Sequence, residues 1–194
     1  MQGRQVLKFA SFFLMAFGVF LPAIVNATTM KKLSDEDLAS QAQTILTGKC
    51  ISIKSEWNEE RTKIFTYITI SPQNLLKGGR KTQSIIIKQP GGEVGEIGMH
   101  VDGISVFEEG EEVLLFLEKG ENDFHRTLGL SQGKLAITTD KDTGRKVLVK
   151  KRVELVRTPG GKIGRKVIEI KSDKKIFLDD FTDNIGRIQK RNSK

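Results

Sequence analysis

Two histidines and one cysteine are all that the chain offers as side chains able to attack or to move protons near neutral pH: His100, His125 and Cys50. A zinc centre needs three or four ligands at deliberate spacing, and these three residues make no such motif. A Cys–His or Ser–His–Asp arrangement can assemble in space rather than in sequence. Ser105 and Ser131, however, lack the glycine-flanked elbow that presents a nucleophilic serine. His125 sits in a strand pattern, which points to a structural role. His100 is the better functional candidate, because it closes the glycine-rich stretch Gln89-Pro90-Gly91-Gly92-Glu93-Val94-Gly95-Glu96-Ile97-Gly98-Met99-His100.

That glycine density invites comparison with a phosphate-binding loop. No glycine-lysine-serine/threonine ending is present, no helix pattern follows, and Glu93 and Glu96 would repel a phosphate. The stretch reads instead as a long flexible crossing between strands, of the kind that carries binding. Gly91, Gly92, Glu93, Gly95 and His100 are its candidate binding residues. Paired acids occur at Glu59-Glu60, Glu108-Glu109 and Glu111-Glu112. Neighbouring acids on a turn point apart, so they are expected to face solvent, and the spaced loop of a calcium-binding EF-hand is absent. The sequence thus predicts no catalytic residue, no metal ligand set and no cofactor, and argues against an enzyme.

Charge is unevenly spread. Residues 28–132 carry 12 basic and 16 acidic side chains, a net of −4, whereas residues 133–194 carry 18 basic and 8 acidic, a net of +10. A basic C-terminal third on a mildly acidic body suits an anionic partner or surface, with Lys146, Lys150, Arg152 and Lys166 as the candidate contacts. Lysines on a sheet also discourage edge-to-edge pairing. The basic block lacks the aromatic platform that single-stranded nucleic acid requires, so no nucleic acid is expected.

These residues need elements to position them. Val113 to Leu117 is five apolar residues without interruption, flanked by Gly110 and Gly120. It is too short for a free-standing helix and reads as a strand buried on both faces. Upstream, Ser34 with Asp35, Glu36 and Asp37 opens a short helix. Two strand patterns, residues 45–53 and 62–70, follow as a long hairpin, with Gly48 marking a bulge. Residues 84–88 form a third strand. Downstream, 134–138 pairs with 145–152, and 153–157 with 167–171 across Pro159-Gly160-Gly161. Leu178, Phe181, Ile185 and Ile188 recur at helical spacing and predict a C-terminal helix.

The N-terminus carries Arg4 and Lys8, an apolar run over residues 9–21, then Pro22 and Val25-Asn26-Ala27. The run falls short of the ~20 residues of a spanning helix. The pattern is that of a secretory leader, residues 1–27, cleaved after Ala27. The mature chain would begin at Thr28, be periplasmic or extracellular, and have no stable membrane insertion. Its 167 residues suit one domain: a core over 28–138, with basic hairpins and the last helix, 139–194, packed on it. Cys50 alone can form no intramolecular disulfide and reads as a buried, inert thiol.

The order Leu46-Thr47-Gly48-Lys49-Cys50, Ser55-Glu56-Trp57, Leu75-Leu76-Lys77-Gly78, Gln89-Pro90-Gly91-Gly92, Phe107 with Gly110-Glu111, Leu114-Leu115-Phe116-Leu117 and Gln132-Gly133-Lys134 resembles a group of exported bacterial proteins. More distantly it is similar to netrin-type and metalloprotease-inhibitor domains, over residues 34–138. That resemblance implies a mostly β fold: a partly closed five-stranded OB-like barrel, here with a short N-terminal helix, an appended basic β-hairpin region and a C-terminal helix. The inhibitors act through an N-terminal cysteine, which Thr28 does not supply, and their disulfides are missing. The expectation for function is a non-catalytic exported binding or accessory module, with an anionic envelope component or a protein as partner. The alternatives are a protease inhibitor working through a loop and a hydrolase using His100.

Overall fold

Ser34 begins the fold as a helix cap. Its hydroxyl accepts from the Asp37 amide at 3.1 Å, and the Asp37 carboxylate accepts from the Ser34 amide at 2.9 Å, a reciprocal capping box. Helix α1, Asp35–Gln41, is closed at its other end by Lys77, whose ammonium donates to the carbonyls of Ala39 and Ser40 at 2.8 Å each. The computed structural model describes residues 31–79, 82–157, 163–170 and 174–192, and only the backbone of 153–157 and 163–165. The expected leader, 1–27, and the turn at Pro159-Gly160-Gly161 lie outside the described residues. Residues 32–194 form one compact unit.

The predicted long hairpin is β1, Thr44–Trp57, with β2, Ile64–Lys77, in register from Trp57 opposite Ile64 to Ile45 opposite Lys77. β3, Ile85–Pro90, pairs antiparallel with β2. A small hairpin of β4, Gly92–Val94, and β5, Ile97–Met99, follows. β6, Glu112–Lys119, and β7, His125–Thr127, complete the barrel, in the order β1-β2-β3-β7-β6. Among the described residues, the one parallel step joins Ile87 of β3 to His125 of β7. β6 closes the ring by pairing back on β1, from Thr44 opposite Leu117 to Lys49 opposite Glu112. The fold is therefore mostly β, a closed, mixed five-stranded barrel of OB-like order.

β1 can belong to both sides of the ring because it bends at Gly48. A Cβ there would lie 2.7 Å from the Ser71 carbonyl and 2.7 Å from Ile70 Cγ2, and the register shifts between Thr47 and Gly48. A second shift falls at Ile51, between Cys50 and Ser52.

Outside the barrel a 3₁₀ turn, Leu130–Gly133, leads to β8, Lys134–Thr139, which pairs with the first half of β6. β9, Lys146–Arg157, pairs with β8 through Val149 and with β10, Ile163–Ile170, from Lys150 onward. The sequence pattern divides this region into two strands at Val153. The backbone runs through instead, because β9 changes partner without turning. β11, Ile176–Phe177, pairs with β9 and feeds helix α2, Leu178–Asn192. Among the described residues, no helix is long and apolar enough to cross a membrane.

β6 separates two cores. Val113, Leu115 and Leu117 point into the barrel with Leu46, Cys50, Ile68, Ile70 and Ile87. Leu114 and Phe116 point outward to Leu38, Ala42, Leu135, Phe181, Ile185 and Ile188, on the two helices and the outer strands. Phe116 meets Phe181 edge-on, ring centroids 6.4 Å apart. All five residues of the run are fully buried.

Truncation on either side of β6 should therefore be equally severe. Leu115→Ala inside the barrel and Phe116→Ala against α2 should each cost about 2–5 kcal/mol by urea unfolding. A loss below about 1 kcal/mol at either position would mean that its side of the strand is not dry. Gly186 gives the opposite expectation. It lies in α2, and a Cβ there would meet nothing within 4 Å. Gly186→Ala should raise stability by about 1 kcal/mol.

Candidate functional site

Hydroxyls at the end of the barrel interrupt its apolar interior. On β2 the inward residues are Ile64, Thr66, Ile68 and Ile70, and Thr66 stands opposite Ser55 of β1. Their hydroxyls lie 2.9 Å apart, and that of Thr66 donates to the Gly91 carbonyl at 2.7 Å. This polar end opens into a cavity of about 350 Å³. Ile68 and Phe107 line its apolar part. Gln89 from β3, Glu93 from β4, His100 and Asp102 from the following loop, and Arg152 from β9 line the rest. Such a volume is at the small end of ligand pockets, and barrel mouths are one of their usual places.

Glycine makes the hairpin over the mouth feasible. At Gly92, φ is +133°, and a Cβ would overlap the hydroxyls of Ser55 and Thr66. The stretch read as a flexible crossing is thus a short β-hairpin followed by a tied-down loop. Ser131 donates its amide to the Gly103 carbonyl at 2.8 Å. Gln89 donates Nε2 to the Ser105 carbonyl at 3.1 Å, and Ser105 Oγ donates to the Leu130 carbonyl at 3.1 Å. Gln89 Oε1 is buried with no hydrogen-bond partner among the described residues.

The acidic turn fastens the loop's far end: Glu108 and Glu109 are exposed, as expected of paired acids, but the expectation fails at Glu111. Glu111 and Lys134 are almost fully buried and pair at 2.6 Å. The Lys134 ammonium also donates to the Val106 carbonyl and lies 4.9 Å from the centre of the Phe107 ring. Lys151 of β9 bridges Glu111, at 3.4 Å, and Glu108. Glu109 accepts from the Ile53 amide at 2.8 Å, just past the Ile51 bulge. Gly110 donates to the Cys50 carbonyl at 2.8 Å, and Cys50 donates to the Glu111 carbonyl at 2.9 Å. The turn therefore serves as a clamp between β1, β8 and β9, and its carboxylates are engaged by lysines and backbone. The partners come from 23 and 40 residues away, which is why the local pattern conceals them.

Burial pushes the Lys134 ammonium below its ordinary range, against the pull of Glu111. The hydrogen bond from Lys151 holds the Glu108 carboxyl below the ordinary carboxylate range. Burial, and then the charge of Glu111, pushes the Cys50 thiol up to about 11. Burial lowers His125, on β7.

Of the residues singled out from sequence, Gly92, Glu93, His100 and Arg152 converge on the mouth, with Gly91 behind Thr66. Gly95 forms the exposed hairpin tip. Lys146 lines a separate groove beside α2 and pairs with Glu112 at 2.5 Å. Lys150 and Lys166 are exposed on the β9–β10 ribbon. His100 Nε2 lies 2.9 Å from Asp102 Oδ1 at the exposed rim. Ser55, Thr66, Gln89 and Phe107 were not marked by the sequence reading. The available signal was Thr66, a polar residue in an inward series of isoleucines. Among the described residues, no three histidine, cysteine or acidic side chains come together as metal ligands would. The sequence matches no family model and has no significant match among curated proteins.

Breaking the clamp should cost more than removing it. Glu111→Gln leaves a buried ammonium short of its anion and Lys134→Met a buried carboxylate short of its cation, so each should lower stability by about 3–5 kcal/mol, whereas Glu111→Leu combined with Lys134→Met should cost much less. Acid provides an independent check. A carboxyl whose folded pKa is depressed contributes stability above its unfolded value, near 4.5, and loses that contribution as pH falls through the lower folded value. Urea midpoints should therefore fall below about pH 4.5, and less steeply in Glu108→Gln.

Proposed function

We propose that the chain is a non-catalytic, exported binding or accessory module that takes its ligand at the barrel mouth. The observation that supports this reading is convergence. Segments from β1, β2, β3, β4, the 100–107 loop and β9 meet around one cavity whose wall mixes hydroxyls, an amide and apolar side chains. Its rim carries both signs, with Glu93 and Asp102 near Arg152. A polar segment of a protein partner suits such a rim better than a uniform polyanion, for which like charge is repulsive. Export rests on the leader pattern of residues 1–27.

Two further readings each have an observation in their favour. Ile97 is 56% exposed at the hairpin tip, a shape that a loop-acting protease inhibitor could insert into an enzyme cleft. His100 with Asp102 is the base-and-orienter half of a hydrolase. The nearby Ser105 hydroxyl, though, is buried and engaged by Leu130.

Capture from the cell's own envelope fraction distinguishes the three. Wild-type protein should retain a specific component that Ser55→Trp, which fills the mouth, and Arg152→Glu both lose. No turnover of the retained component should accompany binding. Identical capture by a stably folded Ser55→Trp protein would overturn the mouth as the site. Inhibition of a co-secreted protease, lost in Ile97→Asp, would favour the inhibitor reading.

A further inference from the structure

The alternation that points Ile64, Thr66, Ile68 and Ile70 into the barrel points Phe65 and Tyr67 outward. Register places Tyr67 opposite Lys88, and Phe65 opposite Pro90. Phe124, just before β7, brings its ring to 5.4 Å from that of Tyr67, with the two planes 58° apart. The Lys88 ammonium lies among all three rings, 4.4 Å from the centroid of Phe65, 5.8 Å from Tyr67 and 5.7 Å from Phe124. Ile86, next but one along β3, is 39% exposed on the same side. This patch shares no residue with the barrel mouth.

The neighbouring cations already have carboxylates. Lys54 pairs with Glu56 at 2.5 Å, Lys119 with Asp123 at 3.8 Å, and Arg126 with Glu118 at 3.4 Å. Lys88, among the described residues, has ring faces and no anion. Those faces attract the ammonium but leave its charge uncompensated. We propose that this outer face of β2, β3 and β7 is a second binding site, and that it takes an acidic saccharide. The carboxylate of a uronic acid would pair with Lys88. The apolar C–H face of the sugar chair would lie against the outward side of the packed Tyr67–Phe124 pair, with the Tyr67 hydroxyl at its edge. Single-stranded nucleic acid fits less well. Successive bases need flat, open ring faces, whereas here Tyr67 and Phe124 are tilted 58° against each other and Lys88 sits closest to the face of the third ring, Phe65.

Isothermal titration of the full chain with hexameric oligogalacturonate tests the assignment, with its methyl-esterified form and a six-nucleotide oligo-dT as comparators. The acid hexamer should bind, and more weakly as salt rises. Esterification, Lys88→Met and Phe124→Ser should each weaken binding by about two- to fivefold, the scale of one exposed charge or ring contact. Ser55→Trp should leave it unchanged. Near-UV circular dichroism confirms that each variant is folded. Absence of binding, equal binding by a folded Lys88→Met protein, loss of binding in Ser55→Trp, or tighter binding of oligo-dT would each overturn the assignment.

Discussion

A strand with five consecutive apolar residues has no wet side and must be covered twice. β6 is that strand, with Val113, Leu115 and Leu117 facing one core and Leu114 and Phe116 facing the other. The barrel is the cover on one side. The two helices, with β8 and β9, form the cover on the other. This demand explains why the chain continues past a closed barrel. Closing β6 onto β1 would bury one face and leave Leu114 and Phe116 in water, so the outer strands and α2 are part of the same fold and not an ornament on it.

The second constraint is electrostatic and sits at the entrance to β6. Glu111 and Lys134 bury opposite charges against each other, an arrangement that replaces solvation only when geometry and extra hydrogen bonds are good. Here Val106, Phe107 and Lys151 complete it. The result ties β1 at its bulge, the loop over the mouth, β8 and β9 to one point. The shape of the mouth therefore depends on charged groups, Glu111, Lys134 and Lys151, that do not line it. The same engagement removes the carboxylates of the turn from any role as free acids.

Local signals carried much of the architecture. The Ser34 cap, the alternating β1–β2 pattern, Gly48, the unbroken β6 run and the helical spacing of Phe181, Ile185 and Ile188 each describe an element by itself. Properties that arise between elements were hidden. Glu111 looked solvent-facing because Lys134 and Lys151 arrive from elsewhere. β9 looked like two strands because its partners, not its backbone, change at Lys150. The mouth was half legible: glycines mark the loop, while Ser55 and Thr66 become neighbours only through strand register. The ring cluster around Lys88 joins two strands and a loop and lies outside the basic block, so neither composition nor local pattern reveals it.

Cys50 lies on the inner side of the β1 bend, with no exposed surface and its proton firmly held. Its chemistry is therefore coupled to topology. While the ring of strands is shut, oxidants and alkylating reagents have neither access nor thiolate to work with. Once the ring parts, the same sulfur becomes an ordinary solvated thiol, able to cross-link two open copies. The lone thiol would thus report, by covalent capture, excursions in which the barrel comes apart.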